Sequence, residues 1–457
     1  MAGEGQGWSI GVDFGTAFSK AAAMYADRSN GRVTREMTPL HIGAAARAQR
    51  SLIVPSAMFL NAERVHFGPR AVEEYRRLGD DRREMLQSFK TILGAADFEH
   101  ALDLLPSRSV DPDGEFRRGD LIVLYLAYLL ELIERAAPEE LGDLFTKNSK
   151  VRMRYSRPGW VPRRAEAAGA AMERMIQAAA VVRLEIGDAL LASDGLPYDA
   201  AMLAVRRAYF GGEAFPHLDG GVFEASAVAA CHLIDPSTPD HVVVVDIGAG
   251  TSDFAGFVRD GEVIDTIERA SRTISVAGDM FDRALINLLM SKAKFLHTTR
   301  EQSMLWRNLL SQIRDLKEVL VKTGRVEVNF RNESLKCKLS EFASDPGYKD
   351  SSKAIAEVYQ RTLKDLVADF RGSRPKRIGL ILAGGGSHLP STIHMARKFK
   401  SVDGIKIELV PTSPRWASDL NSNTEFEALF AQMSVAFGAA IAEPNQFASK
   451  FARDIHA

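Results

Sequence analysis

Residues 11–19 read Gly-Val-Asp-Phe-Gly-Thr-Ala-Phe-Ser, and residues 244–253 read Val-Val-Asp-Ile-Gly-Ala-Gly-Thr-Ser-Asp. In both stretches a run that favours a β-strand reaches an aspartate, turns at a glycine and continues into a second strand-like run. Asp13 and Asp246 are 233 positions apart, about half of the 457-residue chain. An internal repeat at this spacing predicts two similar lobes that face each other.

The rest of the chain is mostly helical in pattern. A third glycine-rich turn, Gly384-Gly385-Gly386, follows a strand predicted at residues 377–383 and precedes a helix predicted from about Pro390. Residues 187–221 have the least regular pattern, which is compatible with an inserted recognition element or with a long ordered connection. Residues 325–330 and 334–339 form a predicted hairpin, and apolar residues recur at helical spacing in six other stretches: residues 71–78, 119–136, 164–181, 281–295, 305–322 and 352–370.

The composition is that of an ordinary globular chain, with 46% hydrophobic residues and a net charge of -1. This near-neutral balance predicts no nucleic-acid partner. Cys231 and Cys337 are isolated from each other, and the first residues do not resemble a signal peptide, so a cytoplasmic location is expected. The most apolar run, residues 121–130, is about half of the ~20 residues that a membrane crossing requires. It predicts a buried helix and no membrane partner.

The glycine-rich turns have the clearest chemistry. A strand that ends in Asp-x-Gly exposes backbone N–H groups in a small concavity that suits phosphate oxygens. A carboxylate beside it suits hydrated Mg²⁺. One such turn is more often a structural hairpin, but two copies at half-length spacing, with a third glycine-rich turn, favour nucleotide phosphates held between two lobes. The sequence contains no Gly-Lys dipeptide, which excludes a P-loop.

Three stretches resemble the nucleotide-binding loops of the heat shock protein 70 chaperones. Residues 11–19 resemble the first phosphate loop and residues 245–253 the second, while residues 382–390, Leu-Ala-Gly-Gly-Gly-Ser-His-Leu-Pro, resemble the adenosine-binding loop. The resemblance spans the chain from about residue 8 to residue 445. Shorter matches to the same family are residues 54–56 (Val-Pro-Ser), 88–94 (Ser-Phe-Lys-Thr-Ile-Leu-Gly), 223–227 (Phe-Glu-Ala-Ser-Ala), 277–282 (Ala-Gly-Asp-Met-Phe-Asp) and 435–440 (Val-Ala-Phe-Gly-Ala-Ala).

The resemblance implies an α/β fold of the two-lobed actin-like ATPase type. In this fold, duplicated ribonuclease-H-like domains, each a mixed sheet with helices, surround a central nucleotide cleft together with smaller subdomains. ATP or ADP and Mg²⁺ are the implied ligands. The implied boundaries are lobe I at 8–240, with its core at 8–50 and 120–240 and a smaller subdomain at 51–119; lobe II at 241–445, with its core at 241–277 and 376–445 and a smaller subdomain at 278–375; and a C-terminal tail at 446–457.

The resemblance also implies roles for the charged residues of the loops. Asp13 and Asp246 fall on the positions that organise magnesium and its waters. Lys90 falls on the catalytic lysine, which stabilises the transferred phosphoryl group. Glu224 falls on a glutamate near the water shell of the metal, and Asp253 on an acidic residue that orients the attacking water.

The same comparison implies that Thr16 and Thr251 donate to phosphate oxygens through their hydroxyl and backbone groups, and Thr251 is counted with the catalytic residues. Each residue type also has an ordinary structural interpretation: a strand-end aspartate accepts bonds from turn amides, a lysine lies on a solvated helix face, and a glutamate caps a first helical turn. The implied nucleotide-binding positions are Gly15, Thr16, Ala17, Gly248, Ala249, Gly250, Gly278, Lys317, Gly384, Gly385, Gly386 and His388.

Four positions depart from the adenine-binding pattern of the family. In the register that retains Lys317, Glu318 stands where the family has the arginine that stacks on the base, and Arg314 stands where it has a glutamate. His388 replaces an arginine of the adenosine loop, and Gln432 replaces a late aspartate near the ribose. Base specificity therefore stays open, whereas the phosphate positions are retained.

The principal hypothesis is a chaperone-like ATP-binding protein with weak magnesium-dependent ATPase activity, which converts ATP and water to ADP and phosphate. Its lobe closure would act on a protein partner of unknown identity. Because only residues 443–457 follow the last family match, no peptide-binding domain is expected, and neither are J-domain or exchange-factor partners. The alternatives are an actin-like nucleotide-gated scaffold or filament protein, a small-molecule kinase of the same superfamily, and a pseudo-ATPase that senses nucleotide.

Overall fold

The structure is a computed structural model of the chain and has a mixed α/β architecture. Of the C-terminal tail expected at 446–457, only two residues lie within the described part. The structure describes residues 6–27, 34–61, 63–78, 83–95, 97–146, 151–159, 162–210, 218–261, 263–369, 377–398, 401–420, 424–442 and 447–448.

The α-helices in chain order are α1 (Ile42–Ala45), α2 (Gly68–Leu78), α3 (Phe98–Asp103), α4 (Arg118–Thr146), α5 (Pro162–Ile186), α6 (Tyr198–Ala208), α7 (Glu224–Leu233), α8 (Gly278–Lys292), α9 (Thr299–Leu310), α10 (Ile313–Thr323), α11 (Leu339–Ser344), α12 (Pro346–Ala368), α13 (Pro390–Lys398), α14 (Arg415–Asp419) and α15 (Thr424–Ile441). Short 3₁₀ helices cover Phe89–Gly94, Gly187–Leu191 and Gly385–His388.

The strands are β1 (Gln6–Asp13), β2 (Phe18–Asp27), β3 (Thr34–Leu40), β4 (Val54–Pro55), β5 (Ala57–Leu60), β6 (Arg64–Phe67), β7 (Leu86–Gln87), β8 (Arg152–Arg157), β9 (Leu196–Pro197), β10 (Leu218–Phe223), β11 (His241–Ile247), β12 (Ser252–Asp260), β13 (Val263–Ile274), β14 (Arg325–Phe330), β15 (Glu333–Lys338), β16 (Arg377–Ala383), β17 (Ser401–Val402), β18 (Ile405–Lys406), β19 (Glu408–Pro411) and β20 (Phe447–Ala448).

The first six-stranded sheet contains both strands of the first Asp-x-Gly turn. Its order is β10-β8-β1-β2-β3, and β4 pairs with the start of β2. Strands β1 to β3 are antiparallel, whereas β8 is parallel to β1 and β10 is parallel to β8. The alternating residues Trp8, Ile10 and Val12 share one buried cluster with the apolar residues of α4, which fixes the face of β1 that packs on helices.

The second six-stranded sheet contains the second Asp-x-Gly turn. Its order is β19-β16-β11-β12-β13-β20. Strands β11 to β13 are antiparallel, β16 is parallel to β11, and β19 is parallel to β16. When β4 and β20 are set aside, both sheets have the same order and the same strand directions. The two Asp-x-Gly turns therefore join equivalent strands of two sheets with matching topology.

Helices α7 and α15 pack against each other in a cluster that contains side chains from both sheets. Two glycines make this close packing possible. A Cβ atom on Gly11 of β1 would lie 2.0 Å from the carbonyl oxygen of Ala436, and a Cβ atom on Gly438 would lie 1.7 Å from that of Ala227. The small residues of these helices thus set the distance between the helix pair and β1.

Two stretches differ from the sequence-based expectation. The helix predicted at 305–322 is divided into α9 and α10 at Gln312, whose φ of -133° lies outside the helical range. The irregular stretch 187–221 contains α6, whose buried residues include Ala201 and Ala204, as well as β10 of the first sheet. Residues 211–217 lie outside the described part.

The apolar run 121–130 lies inside α4, and all ten of its residues are buried, so the prediction of a buried helix is confirmed. Among the described helices, none combines the length and the apolar character that a membrane span requires. Cys231 and Cys337 are both buried and unpaired.

Candidate functional site

The three glycine-rich turns surround one cavity of about 590 Å³. Asp13 is the last residue of β1, and Asp246 lies opposite Ala383 where β11 and β16 end together. The turns that follow these strand ends therefore converge on the same space. A cavity of this size is typical of sites for small molecules and cofactors.

Every predicted site residue except Asp253 contributes to the wall of this cavity. Parts of the chain that are far apart in sequence thus meet at one surface. The predicted residues on the wall are Asp13, Gly15, Thr16, Ala17, Lys90, Glu224, Asp246, Gly248, Ala249, Gly250, Thr251, Gly278, Lys317, Gly384, Gly385, Gly386 and His388.

The Asp13 carboxylate is surrounded by buried donors. Lys20 Nζ donates to Oδ2 over 2.6 Å, and Ser156 Oγ donates to Oδ1 over 2.8 Å. Lys90 Nζ lies 3.5 Å from Oδ1. Burial by itself would raise the pKa of Asp13, but the charges of Lys20 and Lys90 and these hydrogen bonds lower it below its usual value. Asp13 is therefore a fixed anion.

Lys90 lies in the 3₁₀ helix Phe89–Gly94 and is buried. Its ammonium group forms an ion pair with Glu224, the first residue of α7, and donates to Ser156 Oγ over 3.3 Å. Burial would lower the pKa of Lys90, but the negative charges of Glu224 and Asp13 raise it above its usual value. Lys90 is therefore a permanent cation whose position is set by two carboxylates.

The Asp246 carboxylate differs from that of Asp13. Among the described residues, no side chain or backbone amide forms a hydrogen bond or an ion pair with it, although Asp246 is only 5% exposed. Burial, followed by the charges of Glu224 and other nearby carboxylates, raises the pKa of Asp246 well above its usual range. A Cβ atom on Gly384, where φ is +74°, would lie 2.4 Å from Asp246 Oδ1, so this approach requires glycine.

Asp253 is buried beside the cavity but is not part of its wall. The Thr251 and Thr273 hydroxyl groups donate to its two carboxylate oxygens, the first over 3.0 Å. Burial, followed by the charge of Glu224, raises the pKa of Asp253 to about 6. Asp253 thus holds the Thr251 hydroxyl group, which is on the wall.

The first and second glycine-rich turns approach each other directly. A Cβ atom on Gly250 would lie 3.2 Å from the Thr16 methyl group. The start of α8 closes the second turn, since the Gly278 amide donates to the Gly248 carbonyl oxygen over 2.9 Å. Lys317 of α10 in turn donates to the Gly278 carbonyl oxygen over 3.2 Å. A narrow concavity lined by backbone groups results.

A further charged cluster lines the cavity at α10. Glu318 forms ion pairs with Arg50 and with Lys322, the latter at 2.6 Å. Burial would raise the pKa of Glu318, but these cations lower it below its usual value. His388 lies near this cluster, and burial lowers its pKa. Gln432 lines the same cavity. In this structure Glu318 is therefore a partner of cations and not a free side chain.

Sequence reasoning missed three polar residues of the site: Lys20, Ser156 and Arg50. Lys20 could have been found, because the strands predicted on either side of the turn at Gly15 place it opposite Asp13, as the β1–β2 register shows. Ser156 and Arg50 have no such signal. They reach the site only because β8 pairs with β1 and because Arg50 pairs with Glu318 of α10.

The donor set fits a magnesium ion that arrives with a nucleotide. Among the described residues, no group of three His, Cys, Asp or Glu side chains is arranged to hold a metal by itself. Mg²⁺ usually retains several waters and uses one or two carboxylates together with substrate phosphates. Asp246, whose carboxylate borders the cavity and forms no hydrogen bond with a described residue, is the group on the wall that would hold such an ion.

Neither a scan against protein-family models nor a search of curated proteins finds a match to this chain.

Proposed function

We propose that this protein binds ATP in the cavity and hydrolyses it slowly with magnesium, as a relative of the heat shock protein 70 ATPase domain. The observation that supports this proposal most is the cavity wall. It combines the three glycine-rich turns with the buried ion pair between Lys90 and Glu224 and with the Asp246 carboxylate. This combination supplies both backbone donors for phosphate groups and fixed charges of both signs.

The matching topology of the two sheets supports the finer assignment to the actin-like ATPase fold. Each sheet has three antiparallel strands followed by two strands parallel to the first. The duplicated ribonuclease-H-like domains of that fold have this connectivity. In this proposal the nucleotide lies between the domains, and their closure acts on a protein partner in the cytoplasm.

In the proposed mechanism the phosphate chain lies against the backbone amides of the two Asp-x-Gly turns. The Thr16 hydroxyl group donates to its oxygens, and Thr251 donates its backbone N–H group, because its hydroxyl proton is already donated to Asp253. Lys90 stabilises the charge that develops on the transferred phosphoryl group, and Glu224 and Asp13 fix the ammonium group in position. Magnesium, when bound with the nucleotide, neutralises charge on the terminal phosphates.

Asp253 and Glu224 have supporting roles in this mechanism. Asp253 orients the Thr251 hydroxyl group, which faces the cavity, and thereby the water that attacks the terminal phosphate. Glu224 holds Lys90 and leaves its remaining lone pairs for the water shell of the bound ion.

Calorimetric titration with ATP, ADP and GTP, with and without magnesium, tests the proposal. We expect magnesium-dependent binding of ATP and slow appearance of ADP. The GTP titration measures the effect of Glu318 and His388 on base choice. If none of the three nucleotides binds, the proposed function is wrong.

Lys90→Ala separates the catalytic role of this lysine from a structural one. We expect kcat to fall by roughly 100-fold or more, as when other charge-stabilising donors are removed, while the Kd for ATP changes by less than about 10-fold. Lys292→Ala is the matched control, because Lys292 forms an ion pair with Glu341 at 2.9 Å outside the cavity. Equal losses in kcat and in ATP affinity would contradict the role in the transition state.

A further inference from the structure

The two Asp-x-Gly turns carry opposite charges at equivalent positions. In the first turn, the β1–β2 register places Lys20 opposite Asp13. In the second turn, the β11–β12 register places Asp253 opposite Asp246. The separation between Lys20 and Asp253 is 233 positions, the same as the separation between the two aspartates. The first turn therefore carries its own cation, and the second turn carries a second carboxylate.

Lys20 lies under the first turn and reaches the cavity. Its Nζ atom is 2.6 Å from Asp13 Oδ2, and a Cβ atom on Gly15 would lie 3.2 Å from it. The side chain is nearly buried, yet Lys20 contributes to the cavity wall. With Ser156 and Lys90 at the other oxygen, both oxygens of Asp13 already face donors. Little of this carboxylate is left for a divalent ion or for its waters.

Asp246 is in the opposite situation. It is buried, it lies on the cavity wall, and no described residue donates a hydrogen bond to its carboxylate or forms an ion pair with it. Its carboxylate therefore borders the cavity and is open to a cation that enters there. Lys20, the cation whose charge acts on Asp246, is paired with Asp13, and Lys90 is paired with Glu224.

We propose that the two turns divide the neutralisation of charge between them: Lys20 contacts the terminal phosphates directly on the side of the first turn, and the divalent ion is anchored by Asp246 on the side of the second. Asp13 then positions Lys20 and does not hold the metal. This inference rests on the proposed nucleotide site. It assigns to Lys20 a phosphate contact in addition to that of Lys90.

Binding of Mn²⁺, followed by electron paramagnetic resonance in the presence of saturating ATP, tests the metal assignment without reference to turnover. We expect Asp246→Asn to weaken Mn²⁺ binding by about 10-fold or more and Asp13→Asn to weaken it by less than about 3-fold. Equal losses in the two variants would overturn the assignment. Wild-type protein is measured first, because failure of wild-type protein to bind ATP would contradict the proposed function and not only this inference.

The affinity for ATP in the presence of EDTA tests the phosphate contact of Lys20. We expect Lys20→Met to lower this affinity by about 10-fold or more, since hydrogen bonds between charged groups are the strong ones, and the control Lys292→Met to leave it unchanged. The double variant Lys20→Met/Asp13→Asn leaves no unpaired charge behind, so it remains testable if the single variant fails to fold. If Lys20 only neutralised Asp13, the double variant would bind ATP as the wild type does, and that result would overturn the proposal.

Discussion

Asp253 connects the protonation of one buried carboxylate to the stability of the whole protein. Burial and the charge of Glu224 raise its pKa to about 6, from an ordinary value of 3.8. The folded protein therefore holds this proton more tightly than the unfolded chain does. The resulting stabilisation is fully present below about pH 4 and is lost as the pH rises through about 6.

Asp253→Asn should accordingly stabilise the protein at neutral pH. We expect a gain in the free energy of unfolding of about 1–3 kcal/mol at pH 7.5 and a much smaller gain at pH 4, because the wild-type carboxyl group is already protonated there. Urea unfolding of both proteins at the two pH values measures this difference. A gain of the same size at both would show that Asp253 does not titrate in this range.

At the residue scale, the local sequence predicts much of the site. The resemblance of the loops identifies Lys90 and Asp246 as site residues, and both lie on the cavity wall. Lys20 follows from the register of a hairpin, a period-two pattern that is readable in sequence. Arg50 could not be predicted, because its contact with Glu318 joins residues 268 positions apart and depends on the packing of entire elements.

Helix α15 illustrates how small residues control packing at the scale of elements. Gly438 faces the backbone of α7, where an added Cβ atom would lie 1.7 Å from the Ala227 carbonyl oxygen. Replacing a glycine inside a helix with alanine ordinarily stabilises the helix by up to about 1 kcal/mol. At this position the loss of contact between helices outweighs that gain.

We therefore expect Gly438→Ala to lower the free energy of unfolding by about 2 kcal/mol or more, as overpacked cores do. The matched control is Gly169→Ala in α5, where the added atom would lie 3.5 Å from Arg157 Nη1, an ordinary contact. That control should be neutral or slightly stabilising. Thermal unfolding of the two variants measures both effects, and a stable Gly438→Ala protein would mean that α7 and α15 are further apart than described.

Elements were predicted well where periodicity is strong and poorly where it is weak. The strand before Asp13 follows from the alternation of apolar and small residues, and the strand before Asp246 follows from a run of four valines. Strand β10 contains Gly220 and Gly221 and has no alternation, so only its pairing with β8 identifies it as a strand. The break between α9 and α10 lies at Gln312, whose φ of -133° is not helical, and helical spacing does not reveal it.

At the scale of the molecule, the part of the chain before residue 95 is joined to α8–α10 across the cavity. Arg76 of α2 donates to the Ser311 carbonyl oxygen over 2.6 Å and to its hydroxyl group over 3.0 Å. Arg314 of α10 donates to the Ala17 carbonyl oxygen over 3.4 Å. The Ser88 hydroxyl group donates to Asp279 over 2.9 Å. These contacts are polar and partly exposed, so each is individually weak.

Arg76 offers a test of this connection because it does not line the cavity. If the contacts restrain opening, Arg76→Gln should speed the release of a fluorescent ADP analogue by about 3-fold, the effect expected from losing part of a weak exposed interaction. Stopped-flow displacement measures the release rate of the wild type and of the variant.

Arg117→Gln is the matched control, because Arg117 forms an exposed ion pair with Asp103 at 2.9 Å, and neither residue lines the cavity. Unchanged release from Arg76→Gln would mean that these contacts do not limit the opening of the cavity.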